Sequence, residues 1–153
     1  LNNELDDFAA KPGSPNAFGL VGGVANAPGP RKRPLSSMTP TIVLKDGKPE
    51  IVTGSPGGPR IITTVLEQIS DLVDHGMNAA EAMEAPRFHH QWLPDELRVE
   101  RGLSLDTIRL LREKGQNVVV GGTLGSVATI QVLDGLMMGA SDSRQRGTAA
   151  VGW

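Results

Sequence analysis

The sequence predicts a mixed α+β fold in which strands form a layer and helices pack on it. Residues 41–44 and 50–53 are strand-like runs joined through a turn-type Asp-Gly pair, which predicts a β-hairpin. From Ile61 onward, apolar residues recur at helical spacing and predict an amphipathic helix. Further strand-like runs alternate with helical patterns later in the chain, and 153 residues are enough for one domain, 1–153.

The first 33 residues predict irregular structure. Glu4, Asp6 and Asp7 form an acidic cluster, which is either a solvated turn or a carboxylate pocket for an ammonium group. Residues 9–33 are so rich in Gly and Pro that we expect a long surface loop without regular elements. Long loops of this kind often serve as lids, and Phe18 is the large apolar side chain available to close over a ligand.

The elements after the hairpin follow from their capping residues. The helix that begins near Ile61 presents one apolar stripe and ends at Gly76, a residue suited to a left-handed cap. Asn78-Ala79-Ala80-Glu81 has the pattern of a capping box and opens a short helix that Pro86 ends. Ser104 caps a third helix that ends at Gly115. The other predicted segments are extended runs at 87–92, 97–100, 117–120, 127–133 and 136–140.

The turn at residues 53–60 lies between the second hairpin strand and the first helix. Gly57 and Gly58 permit positive φ and leave their N–H groups unshielded, and Pro59 suits a first helical turn. Backbone donors at a helix start can hold a phosphate or a developing oxyanion, although an ordinary strand-to-helix turn uses the same residues. Because antiparallel strands bring their ends together, the hairpin places Ser36 and Ser37 near this turn, where they are better suited to donate to a carboxylate than to act as nucleophiles.

Composition and motifs exclude several classes of function. A net charge of −2 with interspersed signs gives no reason to expect a nucleic-acid partner, and no apolar run is long enough to span a membrane. The absence of cysteine excludes thiol nucleophiles and disulfides. Ser55 lacks the G-x-S-x-G pattern, and the glycine turn lacks the lysine of a nucleotide-binding loop. His89 and His90 are adjacent in an extended run and point to opposite faces, so we expect no metal site and no cofactor.

Several motifs in order resemble the small subunit of bacterial gamma-glutamyltransferases. They are the segments 1–8 (LNNELDDF), 34–38 (PLSSM), 53–58 (TGSPGG), 85–92 (APRFHHQW) and 139–142 (GASD), and together they extend over nearly the whole chain. The resemblance implies an N-terminal-nucleophile hydrolase with an αββα sandwich, of which residues 1–153 form the C-terminal part of the small subunit. It also implies a proenzyme that cleaves itself into a large and a small subunit, which remain together as a heterodimer.

The resemblance assigns roles to residues at matching positions. It implies that the N–H groups of Gly57 and Gly58 form an oxyanion hole. Ser36 and Ser37 would bind the α-carboxylate of the γ-glutamyl group. Asp7, helped by Glu4, would hold its α-ammonium. Residues 9–33 would contain the lid, with Phe18 where several relatives carry a tyrosine, and Phe18 lacks the hydroxyl for that residue's hydrogen bond.

The implied activity is γ-glutamyl transfer and hydrolysis of glutathione and other γ-glutamyl amides through a γ-glutamyl-threonine intermediate. In the family, the segment that bears the nucleophilic threonine precedes the position of Leu1, and this sequence does not contain that segment. We therefore expect this chain alone to be inactive. The alternatives are a non-catalytic relative that binds amino-acid-like ligands, or an amidase of the family acting on poly-γ-glutamate or a cephalosporin side chain. A periplasmic or secreted location follows from the bacterial resemblance.

Overall fold

The computed structural model describes residues 4–152 and contains two β-sheets with helices packed against them. The first sheet has the strand order β1-β2-β6-β7 and the second has the order β3-β4-β5. The strands are β1 (Thr41–Lys45), β2 (Lys48–Gly54), β3 (Phe88–His89), β4 (Leu97–Glu100), β5 (Val118–Gly121), β6 (Ala128–Leu133) and β7 (Leu136–Gly139). The helices are α1 (Arg60–Val73), α2 (Ala79–Glu84) and α3 (Leu105–Glu113), and short 3₁₀ turns occupy Glu4–Asp7 and Val24–Asn26.

The first sheet is antiparallel throughout, and α1 and α2 lie on one of its faces. On this face Ile51 packs with Leu72 and Ala82, and the Thr53 and Thr129 hydroxyl groups form a buried hydrogen bond of 2.8 Å. In the second sheet, β4 and β5 are parallel and α3 connects them. A separate core lies between that sheet and α3; it contains Leu97, Val99, Ile108 and Val118. No helix within residues 4–152 is long and apolar enough to cross a membrane.

The predicted elements agree with the structure at most positions. The Asn78 carboxamide accepts from the Ala80 and Glu81 amides at 3.0 Å, and the Glu81 carboxylate accepts from the Asn78 amide at 2.9 Å, which is the expected capping box. The hairpin, its Asp-Gly turn, and the strand at 97–100 are also where we predicted them.

Two expectations were wrong in part, and the packing of α1 adds a finding. The segment 87–92 is extended only at β3, because Trp92 has a φ of 71° and turns the chain. Residues 9–33 contain the 3₁₀ turn Val24–Asn26 and a bridge between Pro15 and Val21. The stripe on α1 is divided: Val65 and Leu72 are buried, whereas the stripe members Ile62, Leu66 and Val73 are exposed. Spacing predicts a helix but does not decide which of its faces packs against a sheet.

Candidate functional site

The glycine turn joins the end of β2 to the start of α1. Gly57 has a φ of 142° and Gly58 a φ of 59°, values that side chains rarely permit. Their carbonyl groups accept from the first amides of the helix, Arg60 and Ile61, at 3.3 and 3.1 Å. Within residues 4–152, neither the Gly57 nor the Gly58 N–H donates to a protein acceptor. The turn therefore presents two adjacent backbone donors at the positive end of a 14-residue helix.

The ring of Phe18 lies on Gly58. A Cβ atom added to Gly58 would lie only 2.6 to 3.0 Å from three ring carbons, a separation far below an ordinary contact. The chain around Phe18 forms a narrow loop. The Asn16 carboxamide oxygen accepts from the Phe18 and Leu20 amides at 3.0 Å, and the Gly13 N–H donates to the Gly22 carbonyl at 2.9 Å. The residue expected to form the lid thus covers one of the two glycines expected to form the oxyanion hole.

Ser36 and Ser37 precede β1 at the end of the sheet where the glycine turn follows β2. Thr41 is paired with Thr53, so the segments that leave the sheet beyond these two residues emerge at the same edge. Ser36 is exposed, and its hydroxyl accepts from the Met38 amide at 3.2 Å, whereas Ser37 is half-buried. The strand register therefore brings the two serines to the side of the sheet that carries the donors.

Asn26 connects the acidic turn to the serine segment. Its carboxamide N–H donates to the Asp7 carbonyl at 2.7 Å, and its carboxamide oxygen accepts from the Leu35 amide at 2.9 Å. The side chain of Asp7 is exposed. Sequence reasoning did not select Asn26, since a lone asparagine between Gly and Pro residues carries no distinctive signal. Residues 1–3 and the side chain of Glu4 lie outside the described part of the chain, so the expected role of Glu4 stays a prediction.

A second glycine loop packs behind the turn. A Cβ atom at Gly125 would lie 2.8 Å from the Ser55 hydroxyl oxygen and 2.9 Å from that of Thr64, and a Cβ atom at Gly57 would lie 3.7 Å from the Gly125 Cα. The Ser55 hydroxyl accepts from the Ser126 amide at 3.1 Å and donates to the Pro56 carbonyl at 2.7 Å. Ser55 is therefore a bridge between two loops.

A buried network of charged side chains holds this second loop. Asp142 accepts from the Arg87 guanidinium at 2.8 Å and from the Val127 amide at 2.7 Å, and Arg87 also donates to the Leu124 carbonyl at 3.0 Å. Glu100 accepts from the Leu124 amide at 2.7 Å and from Arg144 at 2.8 Å. Burial alone would raise the pKa values of Asp142 and Glu100, but these hydrogen bonds and nearby arginines hold both pKa values below the usual range.

The two adjacent histidines lie in different environments. His89 is buried, with Nδ1 at 2.8 Å from the Thr63 hydroxyl and Nε2 at 2.9 Å from the Gln91 carboxamide oxygen, and burial lowers the pKa of His89. His90 is exposed and lies 3.1 Å from Asp95. Opposite placement was expected from their positions in an extended run. No cluster of three or more metal-ligating side chains is present in residues 4–152.

Glu67, on the face of α1 towards β3, is a half-buried carboxyl group that sequence analysis did not identify. One of its oxygens accepts from the Phe88 amide at 2.8 Å, and the other is buried without a hydrogen-bond partner among the described residues. Burial raises the pKa of Glu67 to about 7.

Comparison with known proteins identifies the family. The family model described as gamma-glutamyltranspeptidase matches residues 1–152. The chain belongs to the gamma-glutamyltranspeptidase family. The resemblance stated from its motifs is therefore confirmed.

Individual relatives agree with that assignment. The Escherichia coli (strain K12) glutathione hydrolase proenzyme is 65% identical over 145 residues, which are 94% of this chain and 25% of that protein. The chain thus spans about a quarter of the length of the curated relatives it matches. The solved Helicobacter pylori gamma-glutamyltranspeptidase superposes with a TM-score of 0.88 at 55% identity, covering 95% of this chain and 81% of that chain. For the Pseudomonas nitroreducens gamma-glutamyltranspeptidase the TM-score is 0.87 at 39% identity, with coverage of 100% and 81%. These likenesses confirm the predicted fold class.

Proposed function

We propose that this gamma-glutamyltranspeptidase-family chain is part of an enzyme that transfers and hydrolyses γ-glutamyl groups, with glutathione among its substrates. The observation that carries the proposal is the pair of Gly57 and Gly58 N–H groups, which have no protein acceptor within residues 4–152, in a turn where the Phe18 ring lies against Gly58. Donors held in this way suit an oxygen on which charge develops during a reaction.

The proposed reaction follows the family's implied chemistry. The hydroxyl oxygen of an N-terminal threonine forms a bond to the γ-carbonyl carbon, and the carbonyl electron pair moves to its oxygen. The Gly57 and Gly58 N–H groups donate to this oxyanion. Its collapse re-forms the carbonyl and breaks the carbon–nitrogen bond, and the leaving amine takes up the proton that the hydroxyl released. Water or a second amine then attacks the ester and regenerates the threonine.

The amino-acid end of the substrate requires two kinds of partner. Its ammonium needs an anionic acceptor, for which we propose Asp7 assisted by Glu4. Its carboxylate needs donors, for which we propose the Ser36 and Ser37 hydroxyls. The Asn26 bridge supports this division, because it ties the backbone of Asp7 to the segment that leads into the serines.

The resemblance supplies the rest of the proposal. The chain would assemble with the large subunit released from the same proenzyme, and the reaction would need no cofactor. We infer a periplasmic or secreted location on the same basis.

The test uses the product of the complete gene and measures amine release from a chromogenic γ-glutamyl anilide. We expect activity after processing, and Asp7→Ala should raise the donor KM at least tenfold, because an ionic hydrogen bond to the ammonium is removed. Asp106→Ala, an exposed change on α3, is the matched control.

A processed product that releases no amine would overturn the proposal, and retained binding of glutamate-like ligands would then identify a non-catalytic relative. An unchanged KM in Asp7→Ala would remove Asp7 from the ammonium site. Comparing kcat/KM for glutathione, poly-γ-glutamate and a cephalosporin side chain identifies the preferred amide.

A further inference from the structure

The side chain of Gln91, a residue that follows β3, forms a hydrogen bond with the lid segment around Phe18. The Gln91 carboxamide nitrogen donates to the Phe18 carbonyl at 2.9 Å and to the Leu93 carbonyl at 3.0 Å. Gly19, the next lid residue, lies close to the same segment, since a Cβ added there would be 3.4 Å from Pro94 and 3.9 Å from the Gln91 nitrogen. The lid therefore contacts the turn that follows β3 as well as the glycine turn.

These bonds fix the orientation of the Gln91 carboxamide. Two carbonyl oxygens face one end of the group, so this end must be the NH₂ and the other end must be the oxygen. That oxygen lies 2.9 Å from His89 Nε2, which must then carry a proton and donate to it. In a neutral imidazole Nδ1 is consequently an acceptor. It lies 2.8 Å from the Thr63 hydroxyl, whose single proton is shared between Nδ1 and the Arg60 carbonyl at 3.1 Å.

The resulting relay runs from the Thr63 hydroxyl through His89 and Gln91 to the Phe18 carbonyl. Thr63 lies in the first turn of α1, directly after the glycine turn. One end of the relay therefore lies in the first turn of α1, and the other end is the residue whose ring covers Gly58. His89 is 3% exposed, so its ring is held in place by packing.

We propose that Gln91, oriented by His89, is a positioning residue that latches the lid over the oxyanion turn. Phe18 lacks the hydroxyl group through which a tyrosine at this position could hold the lid by its side chain. The hydrogen bond from the Gln91 side chain to the Phe18 backbone carbonyl does not require that hydroxyl. The latch rests on the proposed function only for its effect on catalysis, since the contacts themselves are a property of the fold.

The test measures how often the lid opens in the product of the complete gene. Chymotrypsin cleaves after phenylalanine, and cleavage between Phe18 and Gly19 requires the lid to leave its turn. Gln91→Leu and Gln91→Glu both remove the donor to the Phe18 carbonyl, and the second keeps an acceptor for His89. We expect cleavage at this bond, followed by mass spectrometry, to become about threefold to tenfold faster in both variants, the range that one neutral hydrogen bond accounts for. Gln116→Glu, an exposed change of the same type between α3 and β5, should leave the rate unchanged.

Kinetic constants separate a latch from general damage. Where the closed lid predominates, opening can rise severalfold while the closed fraction falls little, so the donor KM should change by about twofold or less. Faster cleavage with nearly unchanged KM and an unchanged melting temperature supports the latch. Wild-type cleavage rates in both Gln91 variants would overturn it. If the wild-type enzyme releases no amine, the proposed function fails, whereas the cleavage rates still decide whether the latch exists.

Discussion

The contact between Phe18 and Gly58 makes a quantitative prediction for Gly58→Ala. A methyl group at Gly58 would begin 2.6 Å from the Phe18 ring, and ordinary contact begins near 3.4 Å, so the ring must retreat by about 0.8 Å. Independently, alanine at a φ of 59° carries a backbone penalty of about 1–2 kcal/mol. The substitution thus combines a conformational penalty with displacement of the Phe18 ring.

A double-mutant cycle with Phe18→Ala separates these two contributions. In the Phe18→Ala background the methyl group meets no ring, and only the backbone penalty remains. We expect Gly58→Ala to lower kcat/KM about fivefold more in the presence of Phe18 than in its absence, equivalent to a coupling of about 1 kcal/mol. The assay is γ-glutamyl anilide hydrolysis by the complete, processed enzyme.

Gly47→Ala is the matched control, because Gly47 has a φ of 74° and no heavy atom would lie within 4 Å of its Cβ. Gly47→Ala should show the same backbone penalty in the free energy of unfolding, and its effect should be the same with and without the Phe18 ring. Equal losses from Gly58→Ala with and without the Phe18 ring would refute the contact on which the reasoning depends.

Three further predictions concern residues that support the site. Asn26→Ala should raise the donor KM several-fold and lower kcat less, because it unties the Asp7 backbone from the serine segment; steady-state kinetics measures both constants. Glu67→Gln should flatten the pH dependence of stability. Because the pKa of Glu67 is raised, the stabilising contribution of its carboxyl group is complete below the ordinary value of 4.5 and is lost as pH rises through about 7. Melting temperatures of wild type and variant across that interval measure the difference. Asp142→Ala should destabilise the protein by about 3–5 kcal/mol in denaturant unfolding, because it leaves the buried Arg87 guanidinium without its carboxylate.

Each of these has an outcome that contradicts it. An Asn26→Ala enzyme with wild-type KM would show that the bridge does not position the substrate site. Parallel pH curves for wild type and Glu67→Gln would mean that Glu67 does not titrate in this interval. Lys45→Ala breaks an exposed ion pair with Glu50 and should cost less than about 1 kcal/mol; an equal cost for Asp142→Ala would contradict the buried network.

Local signals in the sequence were sufficient for most elements. The capping box at Asn78 and the Asp-Gly turn after β1 are determined by neighbouring residues, and the structure contains both. The apolar stripe on α1 predicted the helix but not its packed side, because burial depends on what lies opposite a helix. The buried face includes Thr64 and Gln68, which carry no apolar signal. Periodicity alone therefore could not identify the packed side.

Contacts between residues that are far apart in the sequence could not be predicted from such local signals. Arg87 and Asp142 are 55 positions apart, and each is an ordinary polar residue in its own segment. Asn26 joins segments on both sides of it through its carboxamide, and Gln91 donates to the Phe18 carbonyl 73 positions earlier in the chain. Only the fold brings these groups together, so a motif could mark Arg87 and Gln91 as noteworthy without giving their partners.

The glycine turn shows why this distinction matters for function. Its sequence predicts donors at a helix start, but the direction of those donors depends on what the turn rests against. It rests on Gly125, whose place leaves no room for a side chain beside Ser55 and Thr64. The flanking amides of that loop are bound by Glu100 and Asp142, so the buried charges hold the surface on which the turn lies. The charge network therefore contributes to the geometry of the Gly57 and Gly58 N–H groups although none of its side chains touches them.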